Sequence, residues 1–239
     1  MRLAGRTGYI SLWACAAVAT AVTVLLPDAK SFREPSLAKI VATHLPCAVL
    51  TTVFVVLSAV LGIRFLARRE MSLDHRQAAS SELGLIFAGL TMATGIQFSQ
   101  VQWGAWWQWD ARQTSFLVVL MLMAAGVTLR WAIPDPARRA ASSAAYSVAS
   151  LLPVLFLVFV LPRLPQVQAA SFHPSRTVET GGFDTSYWTG ILVMAAALSL
   201  WARAAYTSKH KSLTDEHDID RPAASPSGVV VPLDVPEEH

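Results

Sequence analysis

The sequence predicts an all-α integral membrane protein: six transmembrane helices with an interfacial Trp-rich segment between helices 3 and 4. Three observations predict it. Hydrophobic residues make up 54% of the 239 residues and charged residues only 15%, against about 25% charged in ordinary soluble domains. A soluble domain of this size would leave too much surface in water to hide that much apolar material. Six charge-free windows are long enough, or nearly long enough, for the roughly 20 residues that a bilayer crossing needs. The Lys and Arg residues between the windows are also unevenly shared between two sides, as insertion into a membrane demands.

The windows are Thr7–Pro27, Ile40–Ile63, Leu83–Trp109, Gln113–Leu129, Ala140–Pro162 and Thr185–Ala202. The first follows Arg2 and Arg6 and superficially resembles a signal peptide. With five more spans behind it and no convincing cleavage pattern near Pro27, it reads as a retained first helix. The third is longer than a crossing requires, so its end is expected outside the hydrocarbon. Thirteen of the nineteen basic residues fall on one side of this layout and six on the other. The richer side is expected to be cytoplasmic, with both termini inside. The outward loops are then about 28–39, 100–112 and 163–186. Residues 1–207 form the membrane domain. The polar, proline-containing stretch 208–239 is expected to be a disordered cytoplasmic tail.

The scattered basic residues and a formal charge of +3 suggest no nucleic acid. Cys15 and Cys47 form no CxxC or CxxCH pattern, and nothing requires a disulfide between them. No Walker motif is present, so ATP hydrolysis is not expected of this chain.

The strongest local signal is Trp103-Gly104-Ala105-Trp106-Trp107-Gln108-Trp109-Asp110-Ala111-Arg112, which holds four of the eight tryptophans within seven residues. If helical, it would place Trp103, Trp106, Trp107 and Asp110 on one face, with Trp109 off it. An aromatic belt at the headgroup level is the plain reading. A platform for a flat ligand is the sharper one, because a belt would spread its aromatics over many helices.

Histidines give the second signal. His75, His210, His217 and His239 lie in the charged loop or the tail, where solvation explains them. His44 and His173 instead flank the Trp-rich segment from the outer side. Each alone reads equally well as an interfacial residue. Together, beside a sheet of indoles, they suit a b-type haem: imidazoles ligate iron, and the flat macrocycle packs on aromatics. Arg112 and Arg176 are candidates to pair the propionates. Asp110 could orient a ligand histidine or cap the fourth span. Zinc is the weaker option, since no further ligand completes a tetrahedral site. The polar drift along Thr91, Thr94, Gln97, Ser99, Gln100 and Gln102 could line a wet vestibule or mark a helix leaving the bilayer.

WGAWWQWDAR resembles the WGxWWxWDxR signature of the tryptophan-rich haem-handling (WWD) family, which includes CcmC, CcmF and the CcsA-type subunits. The six-span layout and short length are similar to the CcmC, or haem exporter protein C, branch. THLPCA resembles the family's first flanking histidine pattern and FHPS, less closely, its second. Gln113 stands where the family usually has leucine and is expected to matter little. The resemblance implies that His44 and His173 are axial ligands to the iron of a non-covalent, transiently held haem b. It implies a platform of Trp103, Trp106, Trp107, Trp109 and Asp110 at the periplasmic face of a bacterial inner membrane. Haem would pass to the haem chaperone CcmE, with the CcmA–CcmB ATPase complex and CcmD as further partners. The chain would be a haem-handling protein, not an enzyme. The competing readings are a permease-like haem transporter of an ABC-type exporter, the haem-handling subunit of a cytochrome c synthase, and a plain structural anchor.

Overall fold

A computed structural model describes residues 5–29, 32–173 and 183–219, with the side chains of 5–9 and 218 left aside. The described residues are all-helical. Helix α1 spans Gly5–Leu25, α2 Val41–Arg68, α3 Met71–Trp103, α4 Ala111–Ala132, α5 Pro136–Leu155, α6 Pro165–Ala169 and α7 Thr185–Ile219. A short 3₁₀ turn, Ala38–Ile40, leads into α2, and α5 continues through a π turn to Arg163. Five helical stretches are long and apolar enough to cross a membrane, and α1 supplies a shorter apolar one, Ile10–Leu25. The molecule is a multi-pass membrane protein.

Local signals set the boundaries. Arg69 takes a left-handed conformation (φ 60°) and returns its N–H to the Phe65 carbonyl at 2.7 Å, which ends α2. Asp135 caps α5 by accepting from the Arg138 N–H at 2.7 Å, with Pro136 in the first helical position. Lipid offers no hydrophobic drive between helices, so close approach relies on small residues. Gly62 of α2 shows this: a Cβ there would come within 2.6 Å of the Ser147 Oγ of α5. The main core gathers aromatics of α2, α3 and α7, with Phe54 stacked on Phe87 and Trp201 edge-on to Phe87.

Two expectations change. The charged loop around 64–76 shrinks to a tight turn, because α3 already begins at Met71. Asp74, His75 and Arg76 therefore sit on a helix. Asp74 is 2% exposed and holds Arg130 of α4 through two 2.7 Å hydrogen bonds. His75 is also buried: its Nδ1 lies 3.3 Å from the Thr214 hydroxyl and its ring meets His217 at 5.4 Å. Solvation is thus not the explanation for this histidine. Likewise, α7 runs past the expected boundary at Ser208 to Ile219, tied to α3 by the ion pair of Lys209 with Glu82 at 2.9 Å. Charges at helix ends find each other here, and hydropathy alone does not see that. Residues 220–239, including His239, lie outside the described residues. Cys15 and Cys47 are both free and buried.

Candidate functional site

The loops after α1, α3 and α6 meet at one end of the bundle. The Trp-rich segment is not a helix. Helix α3 stops at Trp103, where Gly104 adopts φ 84° and returns its N–H to the Gln100 carbonyl at 3.0 Å. The chain then runs irregularly until Asp110 starts α4. Trp109 itself has a positive φ of 52°, an uncommon conformation for a bulky residue. The single face that a helix here would give Trp103, Trp106, Trp107 and Asp110 is therefore not formed. Trp106 is 59% and Trp109 80% exposed. Trp103 turns inward against Phe98, Phe172 and the His173 ring, the last at 6.3 Å between centroids. Trp107 packs edge-on to Trp109 at 6.0 Å, and its buried indole N–H has no hydrogen-bond acceptor among the described residues.

Side-chain amides and hydroxyls hold this loop in shape. The Ser99 hydroxyl donates to the Ala105 carbonyl at 2.8 Å. The Gln113 side chain accepts from the Gln108 N–H at 2.9 Å and reaches the Trp106 carbonyl at 3.4 Å. Gln113 was expected to matter little, yet it is a latch. Gln102 clamps the first loop by exchanging two hydrogen bonds with the Glu34 backbone, 3.1 and 3.0 Å. The polar residues that end α3 therefore bind their neighbours more than they line a vestibule.

Asp110 organises the second half. Its Oδ1 accepts from the Arg112 N–H at 2.7 Å, capping α4. Its Oδ2 accepts from the Ser171 hydroxyl at 2.6 Å and from the Phe172 N–H at 2.8 Å. Ser171 in turn accepts from the His173 N–H at 3.2 Å. The carboxylate thus ties the His173 segment to the Trp loop. Burial pushes the Asp110 carboxyl upward, but those three donors outweigh it and hold it below the usual range.

The two histidines come from different elements, His44 from α2 and His173 from the segment after α6. His44, on the first turn of α2, places Nδ1 3.0 Å from the Thr94 hydroxyl of α3. That hydroxyl already donates to the Leu90 carbonyl at 2.7 Å. A hydroxyl has one proton, so toward His44 it accepts. That arrangement would put the proton of a neutral ring on Nδ1 and leave the lone pair on Nε2, one of the two ring nitrogens through which a neutral imidazole ligates a metal. Gly95 lies against the same ring: a Cβ there would sit 3.2 Å from Cε1. His173 is half-buried. Burial, then the Arg112 charge, then the His44 charge push its imidazole down to about 4, against a pull upward from Asp110. It is neutral near pH 7. Arg112 feels the charges of both Arg163 and Asp110. Arg176 lies outside the described residues. Thr94, Ser171 and Gln113 were not singled out as site residues, and only the polar drift of α3 hinted at Thr94.

Fold and site together define a multi-pass helical membrane protein with paired histidines flanking a tryptophan-rich loop. The chain belongs to the heme exporter protein C (CcmC) family, whose model matches residues 1–224. It is 28% identical over 181 residues to "Heme exporter protein C" of Bradyrhizobium diazoefficiens, covering 74% of this chain and 66% of that one. The corresponding Escherichia coli K12 protein is 31% identical over 114 residues, 48% of this chain and 46% of that one. The Rhodobacter capsulatus protein is 31% identical over 98 residues, 41% and 40% of the two chains. The matched stretches span two thirds of these relatives or less.

Proposed function

We propose that this chain holds haem as cargo in cytochrome c maturation, ligated by His44 and His173 at the tryptophan end of the bundle. The observation that carries this reading is the Asp110 clamp. It ties the His173 segment to the loop that follows α3, the helix whose Thr94 bonds His44, although the two histidines are far apart in sequence. The residues suit the ligand. Both imidazoles can offer a lone pair, the unpaired Trp107 indole N–H suits a propionate oxygen, and the exposed faces of Trp106 and Trp109 suit a flat apolar ring. Arg112 is the described propionate candidate and Arg176 the second. Asp110 positions and Trp103 packs.

On this reading α1 is the sixth span, the histidine site faces the periplasm of a bacterial inner membrane, and both termini are cytoplasmic. The outward tryptophans leave haem reachable, so it can be handed to the haem chaperone CcmE. CcmA–CcmB and CcmD complete the assembly, and the chain carries haem without catalysing a reaction. The test is the optical spectrum of the purified full chain beside His44→Ala and His173→Ala. A Soret band with sharp reduced α and β bands, weakened in both variants, is expected. Bands unchanged in both would show that the ligands are misassigned. No haem in the wild type, even with the chaperone co-expressed, would overturn the haem reading.

A further inference from the structure

The proposed haem site occupies one end of the molecule. A separate, partly open cavity of about 40 Å³ lies between α2, α3, α4 and α5. Its polar lining is Ser58, Gln77, Ser81, Ser143, Tyr146, Ser147 and Ser150, the last donating to the Ser147 carbonyl at 3.3 Å. In a membrane bundle such groups have to be satisfied internally. Several are. The Gln77 amide donates to the Ser58 and Ser81 hydroxyls at 3.1 and 3.0 Å, and those two hydroxyls lie 2.8 Å apart. Tyr146 donates to the Leu122 carbonyl at 2.8 Å and Ser147 to the Ala144 carbonyl at 2.9 Å.

Two groups are not. The Gln77 Oε1 and the Ser143 Oγ are buried without a hydrogen-bond partner, on residues only 2% and 4% exposed. Turning the Gln77 amide round would only exchange an orphan acceptor for an orphan donor. The missing partner must donate to Gln77, must donate to or accept from Ser143, and must be small. A water molecule needs roughly 10–15 Å³ of such space and two to four polar neighbours. Haem does not fit, since ligand pockets of that class start near 300 Å³.

We propose that this cavity is a hydration site, holding two or three water molecules by Gln77 and Ser143. It lies one helical turn from the buried ion pair: Gln77 follows Asp74 by three residues on α3, and Val127, also in the lining, precedes Arg130 by three on α4. The waters extend the polar chemistry of that pair into the bundle. They sit beside α5, which approaches α2 closely at Gly62, where a Cβ would meet Ser147 and Ala144.

X-ray hydroxyl-radical footprinting of the full chain in lipid nanodiscs tests this, because radicals form where water lies. Met123 lines the cavity. Met121, two residues away on the same helix, is 62% exposed on the outer face of the bundle, and Met194 is fully buried in the core. Met123 should oxidise several-fold faster than both, and its rate should fall toward theirs in Gln77→Leu and in Ser143→Val. Equal rates at the three methionines of the wild type would overturn the proposal, whether or not the variants fold. An excess at Met123 that survives both substitutions would overturn it too.

Discussion

At the tryptophan end, Asp110 gives its two oxygens to three neutral donors on two separate segments. At the opposite end, Asp74 gives both of its oxygens to one guanidinium, that of Arg130. The first arrangement arranges loops. It fixes the Ser171–His173 segment against the Trp loop while leaving tryptophan faces outward. The second closes polar groups on one another between two helices, aided by the docking of α7 through Lys209, Thr214 and His217. Two buried carboxylates in one bundle therefore do different work, and what decides it is the kind of donor each one meets. One end is built to present groups and the other to hold helices.

The sharpest way to break that contrast is Asp74→Ala. It leaves Arg130 buried without its partner, and removing one member of a buried pair costs about 3–5 kcal/mol. A large drop in thermal stability in detergent is expected, with the haem spectrum of the surviving folded fraction unchanged. Equal stability of variant and wild type would mean that the pair is solvated and the contrast fails. Asp110→Ala should do the reverse. It removes a helix cap worth about 1 kcal/mol and two hydrogen bonds from Ser171 and Phe172, donors in a part-exposed loop where water can take the place of the carboxylate. Haem retained on a desalting column should fall more than about tenfold, as loss of ligand-orienting groups does, while the melting temperature moves far less than in Asp74→Ala. A variant that melts like Asp74→Ala would make Asp110 a structural residue only.

Thr94→Val sharpens the picture at a single atom. Valine keeps the shape but cannot accept from the His44 Nδ1–H. The ring then loses its fixed tautomer, and haem affinity should fall by about tenfold, with a shift in reduction potential. The potential is the discriminating readout, since a mere packing loss would leave it in place. Unchanged affinity and potential would place the His44 proton elsewhere.

How much of this could be read from the sequence depends on how local each signal is. Spanning segments are legible because hydropathy is summed over neighbours, and the windows of α2, α4 and α5 fall on helices. The tryptophan cluster and the two flanking histidines are legible as unusual residues in unusual places. The latches are not. Ser171 is 61 positions from Asp110 and Thr94 is 50 from His44, and no periodicity links such pairs. Charge is a poor guide at 64–76, where residues that look solvated form a buried ion pair and a histidine contact. The irregular backbone of 104–110 is not legible for a related reason. Nothing short of the Gly104 cap and the Gln113 latch says that a run of tryptophans leaves the helix.

The smallest expected effect is one of pH, and it tests whether His173 sits where the contrast requires. In the unfolded chain its imidazole titrates near the ordinary histidine value of about 6.5, and in the fold at about 4. A lowered value means that the folded state binds fewer protons. The stabilisation it provides is complete above 6.5 and is lost as the pH falls toward 4. Asp110 is held low as well, so the clamp keeps its charge over the same range. Haem binding should therefore stay flat from neutral pH down to about 5, since protons do not compete for a base until the pH nears its pKa. A Soret titration reads this directly. A midpoint near 6.5 would mean a solvated imidazole and an open outer loop. The two carboxylates would then no longer mark a presenting end and a holding end.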